Sequence, residues 1–130
     1  MFLLFIRFII KSIMEIEAIA HRLVELCRLG DFEKARVELY ASQVVSIEPS
    51  HRPNNYVEGF EAVHEKGKVF ESMVEEVHRN IVSDPIIANN FICFKFEFDV
   101  TMKGRPRMNL DELCVYEIKD GKIVREQFFF

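Results

Sequence analysis

Cysteine is scarce in this chain of 130 residues, and its three cysteines, Cys27, Cys93 and Cys114, lie far apart in the sequence. They are odd in number and form no C-x-x-C pair of the kind that holds a metal. Because no disulfide or metal pattern is present, we predict a reduced, cytoplasmic protein.

Basic residues are outnumbered, with 17 Lys and Arg against 21 Asp and Glu, which gives a net charge of −4. They are scattered, whereas binding to a phosphate backbone needs a basic stripe. We therefore expect no nucleic acid among the partners. The sequence also lacks a phosphate loop, a dinucleotide-binding glycine pattern, a nucleophile triad and histidines at ligand spacing. These absences predict neither a cofactor nor a metal site.

No hydrophobic run is long enough to span a membrane. Residues 1–13 are apolar, but a span takes about 20 residues, and the basic start and cleavage site of a signal peptide are missing. Three interpretations remain: an extra helix that packs on the domain, a membrane-surface anchor, or an upstream stretch added by a mis-assigned start codon. We favour the last, because a polar, helix-like segment begins at Met14. Residues 14–130 then form a single domain.

Three predicted strands occupy the last third of the chain. Residues 91–101 alternate with period two, with phenylalanine and valine on one side and mostly charged side chains on the other. Residues 108–118 and 123–130 follow as strands. Asp120-Gly121 predicts a tight hairpin between them, because a type I′ turn needs positive φ at both central residues. An apolar antiparallel meander of this kind must be covered on one face by the preceding elements.

Helical periodicity is found at three places before these strands. The pattern predicts helices from Met14 to Leu29, from Asp31 to about Tyr40 and from Gly59 to about Val74, and strands at 42–47 and 75–83. This order predicts an α+β fold in which three N-terminal helices pack on one face of a curved antiparallel β-sheet.

Several short motifs occur in the order found in one superfamily. They are Leu29-Gly30-Asp31-Phe32, Ile47-Glu48-Pro49, Gly59-Phe60-Glu61-Ala62 and the stretch from Asp120 to Phe129. Together they resemble the SnoaL-like branch of the cone-shaped α+β barrel superfamily, which includes nuclear transport factor 2 and ketosteroid isomerase. The resemblance covers nearly all of residues 14–130.

The resemblance implies a cystatin-like α+β barrel cone that encloses an apolar pocket for a small apolar, carbonyl-containing molecule. It also implies a homodimer, and the aromatic end Phe128-Phe129-Phe130 supports this, because such side chains seek a subunit contact. It does not imply one activity, since the fold hosts isomerases, cyclases, hydrolases and binding domains.

Glu48-Pro49 matches the place where ketosteroid isomerase carries its catalytic base, so the resemblance implies proton transfer by Glu48. A carboxylate in an apolar cavity has a raised pKa and becomes a useful proton shuttle. The alternative is a solvated glutamate at a strand end. The oxyanion hole of that enzyme combines a tyrosine with a protonated aspartate, but the corresponding places here hold Leu23 and Cys114 or its neighbour. Steroid isomerisation by that mechanism is therefore not expected.

The same alignment directs Glu112, Cys114 and Tyr116 into the pocket. Asp99 joins Glu112 if the strand register pairs these two residues, and Glu48, Asp99 and Glu112 then form a catalytic acidic cluster whose members raise one another's pKa. The alternative is that these carboxylates form a solvated outer face while the phenylalanines point inward. A register slip of one residue exchanges the two faces.

Three more side chains are candidates for the pocket lining. Tyr40 and Tyr56 are predicted hydrogen-bond donors at its mouth, and His78 shares a strand face with polar Asn80; each is equally explained as a core or rim residue. Two functions therefore remain open. One is a cofactor-free isomerase, cyclase or hydrolase that uses Glu48 for proton transfer, and the other is a non-catalytic binder of a small apolar ligand or a dimeric interaction domain.

Overall fold

The computed structural model describes residues 1–130, which form three helices and seven strands. The helices are α1 (Phe2–Arg28), α2 (Phe32–Leu39) and α3 (Phe60–Met73). The strands are β1 (Tyr40–Ile47), β2 (Tyr56–Glu58), β3 (Val74–Val82), β4 (Ile86–Ala88), β5 (Phe91–Met102), β6 (Met108–Lys119) and β7 (Lys122–Phe129). The predicted α+β class is confirmed.

The seven strands form one curved sheet in the order β2-β1-β7-β6-β5-β3, with β4 paired to β5. All neighbours are antiparallel except β1 and β7, which run parallel, so the sheet is mixed rather than purely antiparallel. It does not close, because β2 and β3 form its two ends. The three-residue strands β2 and β4 fall in stretches whose sequence shows no strand pattern.

Local sequence signals fix where several elements begin and end. The Asp31 side chain accepts a hydrogen bond of 3.2 Å from the backbone N–H of Lys34 and so caps α2 at the place where the sequence predicts a helix to begin. Asp120 and Gly121 both have positive φ, at 51° and 74°, which confirms the predicted hairpin between β6 and β7. That turn fixes which residues of the two strands lie side by side.

Helix α1 extends well beyond the domain at its N-terminal end. Its first buried residue is Ile16, and the large apolar side chains before it in the helix are solvent-exposed except for the partly buried Ile6, from 75% for Phe2 to 40% for Ile9. Residues 2–14 therefore continue α1 beyond the part of the helix that packs on the sheet, and the domain boundary at Met14 stays a prediction. None of the three helices is both long enough and apolar enough to cross a bilayer.

The main core lies between α1 and the concave face of the sheet. Leu23, Val24 and Leu26 of α1 pack there with Phe94 of β5 and Ile123 of β7, and each is almost completely buried. At the C-terminal end of the chain, in contrast, Phe129 and Phe130 are not part of this core, and each is about half exposed. The homodimer stays a prediction.

Candidate functional site

Four neighbouring strands present their side chains to the helices in rows. Alternate residues of a strand point to the same face, so the strand register decides which side chains share a row. In the first row, Tyr116 pairs with Ile92 of β5 and Glu126 of β7, and Glu126 also pairs with Ser46 of β1.

The next rows bring aromatic and acidic side chains together. Cys114 pairs with Phe94 on one side and Phe128 on the other, and Glu112 pairs with Phe96. The phenylalanines of β5 therefore share the concave face with Glu112, a combination that neither interpretation of the alternating strands predicted.

The rows and the three helices line a half-open cavity of about 170 Å³, and 14 of its 21 lining residues are hydrophobic. Its aromatic lining consists of Phe32, Tyr40, Phe70, Phe94, Phe96, Phe98, Tyr116 and Phe128. Its charged lining consists of Arg36, Glu48, Lys66, Glu71, Glu112 and Glu126. A largely apolar cleft with a few converging polar groups is the usual form of a small-molecule site.

Among the carboxyl groups that line the cavity, Glu112 is the one that has no side-chain partner. It makes no hydrogen bond or ion pair with another side chain and is flanked by Phe96 across the strand. Burial raises its pKa from 4.5 to about 7, helped by the negative charge of Glu48 and opposed by the positive charges of Arg52 and Lys66. At neutral pH this group both accepts and releases protons readily.

Glu48 lies at the end of β1 and is paired with a helix side chain. Lys66 of α3 places its Nζ 3.5 Å from the Glu48 carboxylate and 3.0 Å from the hydroxyl oxygen of Ser46, to which it donates a hydrogen bond. The lysine therefore ties α3 to β1 across one wall of the cavity.

Glu126 is a site residue that sequence reasoning missed. It is buried, and the Tyr40 hydroxyl donates a hydrogen bond to its carboxyl group. Burial raises its pKa, while hydrogen bonds from Tyr40 and Ser46 act in the opposite direction. The alternation along β7 places Glu126 on the same face as Phe128. This pattern identifies Glu126 as a cavity residue only when it is known which face of the strand points inward.

A buried ion pair was also missed. Arg36 of α2 donates to both carboxylate oxygens of Glu71 on α3, at 2.6 and 2.9 Å, and its Nε lies 3.2 Å from Nδ1 of His64. The guanidinium passes directly over Gly67, where a Cβ atom would lie only 2.4 Å from Nη1. The glycine in the middle of α3 thus leaves room for the arginine.

Five of the eight predicted site residues line the cavity: Tyr40, Glu48, Glu112, Cys114 and Tyr116. Asp99 does not. The register pairs it with Asn109 rather than Glu112, so it lies on the convex face, where it forms two hydrogen bonds of 2.9 and 2.8 Å with Arg107. The guanidinium lowers the pKa of Asp99. The prediction that Asp99 joins the acidic cluster is wrong.

Tyr56 and His78 also lie outside the cavity. Tyr56 belongs to the edge strand β2 and is 57% exposed. His78 of β3 forms a 2.7 Å hydrogen bond with Thr101, whose side chain lies on the convex face of β5. The prediction for His78 assumed an unbroken alternation that keeps it on the same face as Asn80, but the register of β3 shifts between Val77 and Arg79.

The thiols of the cavity are held in the neutral state. Burial raises the pKa of Cys27 to about 12 and that of Cys114 further still, so neither is a nucleophile at neutral pH. The structure contains no group of three or more His, Cys, Asp or Glu side chains arranged to hold a metal ion.

The raised pKa of Glu112 predicts that the protein becomes less stable as the pH rises. The folded state binds a proton at Glu112 up to about pH 7, whereas the unfolded chain releases it near 4.5, so between these values unfolding releases a proton. Glu112 therefore contributes most to the free energy of unfolding below pH 4.5. We expect this contribution to decrease as the pH rises to 7 and above, by at most about 3 kcal/mol in total. Urea unfolding of wild type and Glu112→Gln at pH 5 and 8 measures this; an equal loss in both proteins would contradict it.

The fold and cavity define a class, that of the cystatin-like or NTF2-like α+β proteins with a pocket against a curved sheet. An NTF2-like protein of unknown function from Burkholderia pseudomallei superimposes with a TM-score of 0.74 at 15% identity, over 89% of this chain and 90% of that one. A protein with a cystatin-like fold from Xanthomonas campestris gives a TM-score of 0.70 at 20% identity, over 88% of each chain.

The chain belongs to the SnoaL-like domain family, whose model matches residues 14–130. A Mesorhizobium loti protein, described as a SnoaL-like polyketide cyclase with carbohydrate phosphatase given in brackets, is 32% identical, with a TM-score of 0.83 over 88% of this chain and 98% of that one. The predicted family is confirmed. No curated protein matches the sequence.

Proposed function

We propose that this protein is a cofactor-free proton-transfer enzyme that acts on a small apolar compound with a carbonyl group. The observation that carries the proposal is Glu112, a carboxyl group without a partner in an aromatic cavity, with a pKa raised to about 7. Such a group changes its protonation state near neutral pH, which is what a general acid–base catalyst needs.

The reaction follows from the chemistry of the carboxylate. Ionised Glu112 removes a proton from the carbon next to the carbonyl group, and the electron pair of the broken C–H bond moves to give an enolate. Protonated Glu112 then returns the proton, either to the same carbon or to another carbon of the conjugated system. Lys66 is a cation that lines the cavity, and its charge favours the negative enolate.

Glu48 has a supporting role in this scheme. Its carboxylate faces the ammonium group of Lys66 at 3.5 Å, so it holds the lysine in position and its charge raises the pKa of Glu112. The proton carrier is therefore Glu112, which lies in the middle of β6, rather than the glutamate next to Pro49. The description of the Mesorhizobium loti relative as a polyketide cyclase supports a carbonyl substrate, since polyketides carry carbonyl groups.

The experiment is deuterium exchange at carbon atoms next to a carbonyl group, followed by NMR in deuterated water for a panel of small cyclic ketones and enones. We expect catalysed exchange whose rate rises with pH to a plateau with a midpoint near the pKa of Glu112, about 7, because only the ionised carboxylate is a base. Exchange without an inflection in this range, or no exchange with any ketone, would contradict the proposal.

A second candidate function is binding without catalysis. It is favoured by the pairing of the other charged groups, since Arg36 is bound to Glu71 and Tyr40 to Glu126. Few free donors remain to stabilise an enolate. Ligands that bind in the cavity without any proton exchange support this function instead.

A further inference from the structure

We infer that the ligand of this cavity is a compound with a single ring and few substituents. The first observation is the cavity volume of about 170 Å³. An apolar protein cavity of about 150 Å³ holds one benzene molecule. The apolar space in this protein therefore fits one six-membered ring with a small polar substituent, and further fused rings would project out of it. The inference that the ligand carries a carbonyl group rests on the proposed function, whereas the inference about its ring size does not.

The second observation is the packing of the aromatic wall. Phe32 contacts Phe96 and Phe98 edge to face, with ring centroids 5.8 and 5.6 Å apart, and Phe96 stacks on Phe98 at 5.1 Å. Phe98 and Phe94 are 3% and 2% exposed. Phe94 and Phe98 are therefore held in place by the core and by the sheet behind them.

The third observation is the position of the polar groups relative to this wall. Glu112 pairs with Phe96 in the strand register, and Leu110 pairs with Phe98 one row further along. A flat ring against the phenylalanine cluster thus has its polar substituent next to Glu112. A single-ring ketone or enone, about the size of cyclohexenone, satisfies both the apolar wall and the carboxyl group.

The test measures binding without turnover, by calorimetry and by NMR titration of the phenylalanine resonances. The probes are cyclohex-2-enone, a two-ring decalone and a four-ring steroid enone. We expect the single-ring enone to bind and to shift the signals of Phe94 and Phe98, and the larger compounds to bind at least about tenfold more weakly, because their extra rings have no apolar surface to bury. Equal or tighter binding of the decalone or the steroid would overturn the inference, and so would the absence of binding by single-ring compounds.

Removing one wall residue sharpens the test. Phe96 is only partly buried, so Phe96→Ala enlarges the cavity without emptying the core. We expect it to bind the decalone about tenfold more tightly than wild type does, because a second ring then finds apolar surface. Phe91→Ala is the matched control, since Phe91 lies on the same strand and is also partly buried but points to the opposite face. A gain of decalone binding in both variants, or in neither, would overturn the assignment of the wall.

Because these measurements need no reaction, the inference and the proposed function fail separately. If the single-ring enone binds but shows no deuterium exchange, the proposed proton transfer is refuted and the inferred ring size is supported. Exchange on a steroid enone refutes the ring size and keeps proton transfer.

Discussion

Replacing Glu112 with glutamine is expected to lower the rate of catalysed proton exchange by about 10²–10⁴-fold, the usual contribution of a general acid–base group. Glutamine has nearly the same shape and stays in the row between Phe96 and the end of β7, but it has no titrating proton. Because the amide is also neutral, as is protonated Glu112, ligand binding is expected to change little. NMR exchange rates and calorimetric titrations of the same protein samples separate the two effects.

The matched control for this substitution is Asp99→Asn. Asp99 is a carboxylate on the neighbouring strand, but it lies on the convex face and pairs with Arg107. Its loss is expected to leave exchange unchanged. Equal rates in wild type and Glu112→Gln would show that the proton carrier lies elsewhere, with Glu48 and Glu126 as the next carboxyl groups of the cavity to replace.

Replacing Arg36 with methionine is expected to lower the free energy of unfolding by about 3 kcal/mol, because it leaves a partly buried carboxylate without its partner. The Arg36 side chain is only 8% exposed, and both of its terminal nitrogens bind Glu71. It also joins α2 to α3, which together cover one side of the cavity. Urea unfolding followed by circular dichroism measures the change.

Two further variants test whether the loss comes from the unpaired charge. The double substitution Arg36→Met with Glu71→Leu is expected to recover most of the lost stability, since replacing both partners of a buried pair by apolar side chains is often neutral. Arg107→Met breaks an ion pair of the same two-bond geometry on the surface, where solvent screens the charges. It is expected to cost far less. A double variant as unstable as Arg36→Met would show that the guanidinium stabilises the fold through packing instead.

Both sets of variants concern a cavity whose charges are mostly balanced within the protein. Arg36 neutralises Glu71, and Lys66 neutralises Glu48. Glu112 and Glu126 are left, and burial favours the protonated form of both. The proton on Glu112 is the one that has no hydrogen-bonded protein partner, so it is the one available to a ligand.

The family and most of the fold could be predicted because their signals are local. A helix stripe, the cap at Asp31 and the hairpin at Asp120-Gly121 each depend on residues a few positions apart. The order of these elements was sufficient to predict an α+β fold. Residues in β2 and β4 carry no comparable signal, since three residues are too few for a recognisable alternation.

The membership of the candidate site could be predicted only in part, because it depends on register. The sequence indicated that Phe94, Phe96 and Phe98 share one face and that Glu112 and Cys114 share another, and the structure shows these to be the same face of the sheet. The length of the turn between β5 and β6 decides this, and a slip of one residue would have placed Asp99 on the same face as Glu112 instead.

The sequence by itself thus determined the class of the protein, its elements and the presence of carboxylates and aromatic rings in the strands that build the cavity. Only the tertiary structure decided that Glu112 remains without a partner while Glu48, Glu71 and Glu126 are each paired. The physical reason is that a pairing such as Arg36 with Glu71 or Tyr40 with Glu126 joins side chains 35 and 86 residues apart. No periodic pattern encodes such distances, and they are set only when the helices pack onto the sheet.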